Sequence, residues 1–551
     1  MNRFRQIEYL AFALIFLALV VFLISVKYSS FRAADNLGVF SGLSYWFYFS
    51  LILLGLSSWL FSRLKPNSLF SFFLILLAQC IFTTVGFLVG GLGALQPDFL
   101  EPVYYFSATA YMDQTSLFTL ISHSAQYGYW PASNLFHGVL FEVTGTYREN
   151  NLVSMLVLSH VFYAALQTTL VFAFLRRITR SIELSMIGSL IFIMYGAYEP
   201  AMLKDVGYNF TVFLVIIYLF SKKPLNLLAL APLIFVALIS NAWGSIMLLA
   251  VLTAFAIMTK DFRLIILAGI LFSVWNVIFL GQSVKGFVIS ELSHLFLVST
   301  LLNILSTATV VGSLIHQEYT RITFYYTVAL YTVAIICIAI TLVQKTNRNG
   351  RMVLSLLMVL FALLIAGAAF GTGFGSNPIE SLERTFTYSI PFLILPVLLS
   401  LMRIRRRLLT YFWLLLLICS PLTIITSYGG VSSTFMSTPE QMGGQFTQAF
   451  ATSPRLVALW VPFYGNQVTG YMFLTNGSFV LNFLMSVINV SSVGLPSTPD
   501  RLAIGQLNDY VQNQYAIYTG STSIYWQDYT AISQVTDIIY SNTGTCLFVT
   551  R

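Results

Sequence analysis

The chain has 551 residues, of which 57% are apolar and only 9% charged, whereas soluble domains carry about a quarter charged residues; this balance excludes a water-soluble fold. The formal net charge of +8 is scattered in short clusters between hydrophobic runs, so no compact basic domain exists and nucleic acid is not an expected partner. Three of the four cysteines, Cys80, Cys337 and Cys419, lie inside apolar runs and Cys546 alone falls in the tail, which leaves no disulfide framework.

Apolar runs long enough to cross roughly 30 Å of hydrocarbon recur along the chain. In order they predict spans at 8–26, 43–62, 68–92, 152–175, 183–199, 208–221, 225–240, 243–259, 264–281, 322–343, 352–371, 387–402 and 408–427. The first follows Arg3 and Arg5 and lacks an obvious small-residue cleavage site, so it reads as a retained span. With a cytoplasmic N-terminus, the inside segments hold Arg3, Arg5, Arg63, Lys65, Arg176, Arg177, Arg180, Lys222, Lys223, Lys260, Arg263, Lys345, Arg348, Arg351, Arg403, Arg405, Arg406 and Arg407. These make up 18 of the 28 Lys and Arg, the bias expected of cytoplasmic loops. Three long segments then face outward: 93–151, 282–321 and the tail from Tyr428 to Arg551. The tail has no lysine, and stretches such as YAIYTGSTSIYW and DIIYSNTGTCLFV read as short strands joined by turns. Asn476 and Asn489 open N-glycosylation triplets within it. The expectation is an α-helical polytopic membrane protein of about thirteen transmembrane helices (1–427), with a small C-terminal α/β or mostly β domain (428–551) on the non-cytoplasmic face of the cell membrane.

The first outside segment carries Asp98, Glu101 and Asp113 just beyond the third span, followed by His123 and His137. A carboxylate at the bilayer surface is partly desolvated, which raises its pKa toward that of a general base; ordinary solvated loop acids are the plain alternative. Lys204 and Asp205 stand in a tight outside turn, as substrate ligands or as a local ion pair, and Trp243 marks another outside turn, as a substrate platform or an interfacial anchor. His294 and His316, with Glu291 and Glu318, could be read as metal ligands but fit no tight metal-binding spacing, so no cofactor is required and a divalent metal is left open without support. Arg384 stands at the outer mouth of the twelfth span, where a basic residue is either a snorkelling anchor or a clamp for a lipid phosphate. No phosphate-binding loop, dinucleotide fingerprint or hydrolase elbow is present.

The set of Asp113, His123, Gly128 and Pro131, the phrase LKDVGYNF, the Arg384 segment and the ending DIIYSNTGTCLFVTR together resemble the membrane glycosyltransferases of the GT-C class. The WWDYG-type motif of oligosaccharyltransferase catalytic subunits is absent. The resemblance implies transfer of a sugar, with inversion, from a polyprenyl-phosphate-linked donor to a glycan or protein acceptor on the outer face. In it Asp113, or else Asp98 or Glu101, serves as base; Arg384 holds the lipid phosphate; and His123, Lys204, Asp205 and Trp243 line the substrate. The alternative from a different class is a multi-pass transporter or flippase of lipid-linked saccharides, without catalysis.

Overall fold

The computed structural model describes residues 2–29, 40–63, 68–90, 131–144, 152–195, 205–220, 227–275, 318–343 and 378–401, isolated helical positions between 411 and 419, and four strands. Twelve α-helices are named below: α1 (Asn2–Tyr28), α2 (Tyr45–Arg63), α3 (Ser68–Gly90), α4 (Pro131–Thr144), α5 (Leu152–Thr179), α6 (Ile182–Tyr195), α7 (Asp205–Phe220), α8 (Leu227–Leu238), α9 (Ala242–Thr259), α10 (Arg263–Val274), α11 (Glu318–Val343) and α12 (Pro378–Leu401). Eleven coincide with apolar runs. The exception is α4, inside the stretch read from sequence as an outside loop; Pro131 at its first position presets the backbone angle of a helix start. The spans 352–371 and 408–427 lie largely outside the described residues.

The α1–α2 pair shows how the helices close on one another. Ala11, Ala18, Ser25, Ser50 and Ser57 are all buried, and their seven-residue spacing puts small side chains on one stripe of each helix. Close approach lets the Ser57 hydroxyl donate to the Ala11 carbonyl at 2.9 Å and Ser44 Oγ donate to the Ser25 carbonyl at 3.1 Å, so the pair is antiparallel. Phe22 packs on Phe47 across it, ring centroids 6.3 Å apart. The opposite face of α1 leaves Tyr9 at 72%, Phe16 at 70% and Leu23 at 64% of full exposure. Exposed large apolar residues recur on α2 (Trp46, Phe49, Ile52), α10 (Ile266, Ile270) and α11 (Val333, Ile336, Ile340).

The centre is formed by α5, α6, α7, α9 and α12. Helix α6 is buried along most of its length, from Leu184 to Met194. Gly188 within it has no room for a side chain, because a Cβ would press on Leu175 of α5 and on Leu398 and Ile394 of α12. The buried face of α12 carries Tyr388, Phe392 and Leu393. Its rings interlock with α7: Tyr388 meets both Phe210 and Phe213 at 5.2 Å, and Phe392 meets Phe213 at 6.3 Å. The two helices therefore run parallel. Two helical segments, Tyr9–Tyr28 and Leu158–Thr179, are long and apolar enough to cross a membrane.

In the tail, β1 (Leu456–Ala458), β2 (Leu502–Gln506), β3 (Thr536–Ser541) and β4 (Thr545–Thr550) form one sheet in the order β1-β2-β4-β3. The first pairing is parallel and the other two antiparallel. Strands β3 and β4 come from the phrase DIIYSNTGTCLFV; the register shifts between Ile538 and Tyr540.

Candidate functional site

Four helices, α5, α7, α8 and α9, together with α12, meet around Asn209, one turn into α7. Its side chain is fully buried. The Nδ2 group donates to the Ala237 carbonyl at the end of α8, at 2.6 Å, and Oδ1 accepts from the Tyr388 hydroxyl of α12 at 2.8 Å. A Cβ at Gly244 would collide with this carboxamide, so glycine is required where α9 passes. The α8–α9 connection is locally self-satisfied: Asn241 caps α9 by accepting from Gly244 N at 3.1 Å, and Ser245 Oγ returns a bond to the Leu238 carbonyl at 2.8 Å. Capping side chains of this kind satisfy amide groups that a helix start leaves open.

The neighbouring residue on α7 joins a second polar knot. Tyr208 packs in a tilted arrangement on Phe136 of α4, ring centroids 4.9 Å apart, and its ring lies 5.8 Å from that of His137. The imidazole is 1% exposed and bonded at both nitrogens, with Ser133 Oγ 3.2 Å from Nδ1 and the Tyr163 hydroxyl 2.9 Å from Nε2. Burial pushes its pKa down to about 3, so the ring is neutral at physiological pH. Gln167 of α5 donates to the Gly207 carbonyl at 3.3 Å and to Thr211 Oγ1 at 3.1 Å. The start of α4 docks on the same place, Ala132 N donating to the Ile239 carbonyl at 3.3 Å. The result is a neutral, hydrogen-bonded floor organised by the first turns of α7.

The positions singled out from sequence divide in two. Asp98, Glu101, Asp113, His123 and Lys204 lie outside the described residues. Asp205, Trp243 and Arg384 fall on described helices. Asp205 and Trp243, read as turn residues, are the first residue of α7 and the second of α9. Arg384, read at the mouth of its span, lies well inside α12, because Pro378 starts that helix earlier and the polar run PIESLER continues it. Arg384 precedes Tyr388 by four residues and Asp205 precedes Asn209 by four. The parallel course of α7 and α12 puts both positions toward the same end of the bundle. Trp243 stands beside Gly244 on the third helix.

Asn209, Tyr388, Tyr163, Ser133 and Gly244 were not singled out from sequence. Asn209 had a signal, a lone amide in an apolar run, and the SNAWG phrase held the cap; Tyr388 had none. Among the described residues no group of three or more His, Cys, Asp or Glu is placed to hold a metal. Glu318 is the first residue of α11, while Glu291, His294 and His316 lie outside the described residues. No protein-family model and no curated protein matches the chain.

Proposed function

We propose that the chain is a multi-pass membrane glycosyltransferase of the GT-C kind, which moves a sugar from a polyprenyl-phosphate-linked donor to an acceptor on the non-cytoplasmic face. The observation that carries this reading is that Arg384 and Asp205 both lie toward the end where α7, α9 and α12 begin, beside a neutral hydrogen-bonded floor. The first turns of helices carry partial positive charge, and a guanidinium forks onto a phosphate in two parallel bonds. The site suits an anionic lipid headgroup. Membrane placement is supported by the two helices of spanning length and by the large apolar side chains left exposed on α1, α2, α10 and α11, an extent that water does not favour. The charged turns containing Arg177, Arg180, Lys260 and Arg263 lie at the other end of the bundle, in keeping with a cytoplasmic face there.

In this mechanism an acid of segment 93–151, Asp113 or else Asp98 or Glu101, takes the proton from an acceptor hydroxyl. The hydroxyl oxygen bonds to the anomeric carbon as the carbon–oxygen bond to phosphate breaks, and configuration inverts. The electron pair leaves with the polyprenyl phosphate, whose charge Arg384 stabilises. Nothing in these steps requires a metal.

The test is sugar transfer in proteoliposomes containing polyprenyl-phosphate hexoses. Wild-type protein is expected to yield glycosylated acceptor, Asp113→Asn none, and Arg384→Lys a reduced amount. Movement of the lipid-linked sugar across the bilayer with no product would overturn the transferase in favour of a flippase.

A further inference from the structure

We propose that α4 is an interfacial helix whose exposed apolar stripe, Leu135, Val139 and Val143, rests among the acyl chains of the outer leaflet. The inference rests on the membrane placement and is independent of sugar transfer.

Helix α4 reverses the arrangement of a helix on a water-facing surface, which turns its apolar stripe to the core. It docks on the bundle through two polar residues, Ser133 and His137, both buried; the imidazole links them to the Tyr163 hydroxyl of α5. Leu135, Val139 and Val143 recur every four residues and so share one stripe. That stripe is left open, with Leu135 at 40%, Val139 at 64% and Val143 at 79% of full exposure, and Phe136 beside it is exposed as well. Exposure rises along the helix, so α4 is anchored by its first two turns while its last turns stand clear. Water disfavours such an arrangement, whereas hydrocarbon selects it.

The joint with α5 fixes the depth. Tyr163 lies five residues, about 7.5 Å of helix, inside the spanning segment Leu158–Thr179. The basic last turn of α5, Arg176 and Arg177, stands at the other end of that segment and is cytoplasmic on the membrane reading. Helix α4 therefore meets α5 just beneath the outer surface of the bilayer. Leu158 and Phe162 of α5 are exposed there too, so apolar side chains of both helices stand open at one depth. With 14 residues, about 21 Å, α4 is too short to cross roughly 30 Å of hydrocarbon and has the length of an interfacial segment. The stripe is wholly aliphatic, and Leu and Val are under-represented among the anchor residues of protein interfaces, which favours lipid tails over a second protein. Residues 131–144 thus belong to the bilayer boundary and not to an aqueous loop.

The test places the photo-crosslinker p-benzoylphenylalanine in turn at Val139, Val143, Phe162 and Lys260 of the full chain in phosphatidylcholine nanodiscs, and adducts are read by mass spectrometry. Phospholipid adducts at Val139 and Val143 are expected to match those at Phe162 and to exceed those at Lys260 by about tenfold, because the apolar face of an interfacial helix sits about 5–10 Å into the acyl boundary. Lipid adducts at Phe162 alone, with Val139 and Val143 unreacted or joined to protein, would overturn the proposal and leave the membrane placement intact. Absence of lipid adducts at Phe162 would remove the membrane placement and the proposal with it. In the unsubstituted chain, hydroxyl radicals generated in water should oxidise Phe136 no more than Phe162; oxidation of Phe136 well above that level would overturn the proposal independently of any substitution.

Discussion

At the end where α7, α9 and α12 begin, the polar side chains on view are neutral and buried, whereas at the end where α5 and α9 finish they are charged and mostly exposed. Asn209, Tyr388, His137 and Tyr163 are each at most 4% exposed and bond to one another or to backbone. Arg263, by contrast, grips Asp261 at 2.7 Å with its own side chain 73% exposed; the hydrogen bond from Arg263 lowers the Asp261 pKa to about 2. Surface pairs of that sort add little stability, while a buried amide–hydroxyl contact leaves an expensive orphan when one partner is removed. The two ends are thus specialised. One is held rigidly enough to orient a reacting group, and the other presents charge without relying on it for packing.

Mutations at the two ends should separate these roles. The largest effect is expected for Arg384→Ala, which removes the proposed phosphate clamp and should lower sugar transfer by about 100-fold to 1,000-fold, as loss of a preorganised charge partner does. Its thermal midpoint should stay within a few degrees of wild type. An unaltered rate would break the assignment of that end as the reactive one. Gly244→Ala should destabilise by about 1–3 kcal/mol, since the added methyl must displace the Asn209 carboxamide and overpack the junction; denaturant or thermal unfolding in detergent measures this. Tyr388→Phe deletes one hydroxyl and should cost about 1–2 kcal/mol. Adding Asn209→Ala to that variant should cost less than making it in wild type, because the two side chains share one bond.

The imidazole of His137 gives a pH-dependent contrast. Its helix, α4, lies outside the apolar runs read from the sequence as spans. With the folded pKa near 3 and the unfolded value near 6.5, its stabilisation is complete above about pH 6.5. As the pH falls toward 3 the unfolded chain binds the proton and the folded chain does not, so stability drops by about 1.4 kcal/mol per pH unit within that window. The difference in unfolding free energy between wild type and His137→Gln at pH 7 and pH 5 measures this slope, and no change between the two would place the ring in contact with water. The smallest effects are expected at the charged end, where Arg180→Gly and Lys260→Gly should raise stability by up to about 1 kcal/mol each by relieving left-handed backbone.

The helices were legible because each apolar run is long and bounded by charge, which is what period and composition report. Helix ends were less so. Asp205 and Arg384 are polar residues that extend a helix past its apolar stretch, and hydropathy stops where the apolar residues stop. Helix α4 escaped notice because PASNLFHGVLFEVT mixes polar and apolar residues over only 14 positions. Of the site, the charged members Arg384 and Asp205 were visible as scarce charges near apolar runs. That they lie toward one end of the bundle follows from the parallel course of α7 and α12, fixed by ring packing such as that between Phe213 and Phe392, 179 residues apart in the chain. Tyr388 looks in sequence like any of 30 tyrosines, and only its partner on α7 distinguishes it.

Arg180 and Lys260 both have φ of 57°, at turns where glycine would be the easiest residue. On the membrane reading, each keeps a cation immediately after a hydrophobic stretch that is being threaded into the bilayer. The tension is thereby spread over two moments in the molecule's life: a kinked turn tolerated in the finished protein preserves an orientation cue that matters during synthesis, before any helix has a neighbour to pack against.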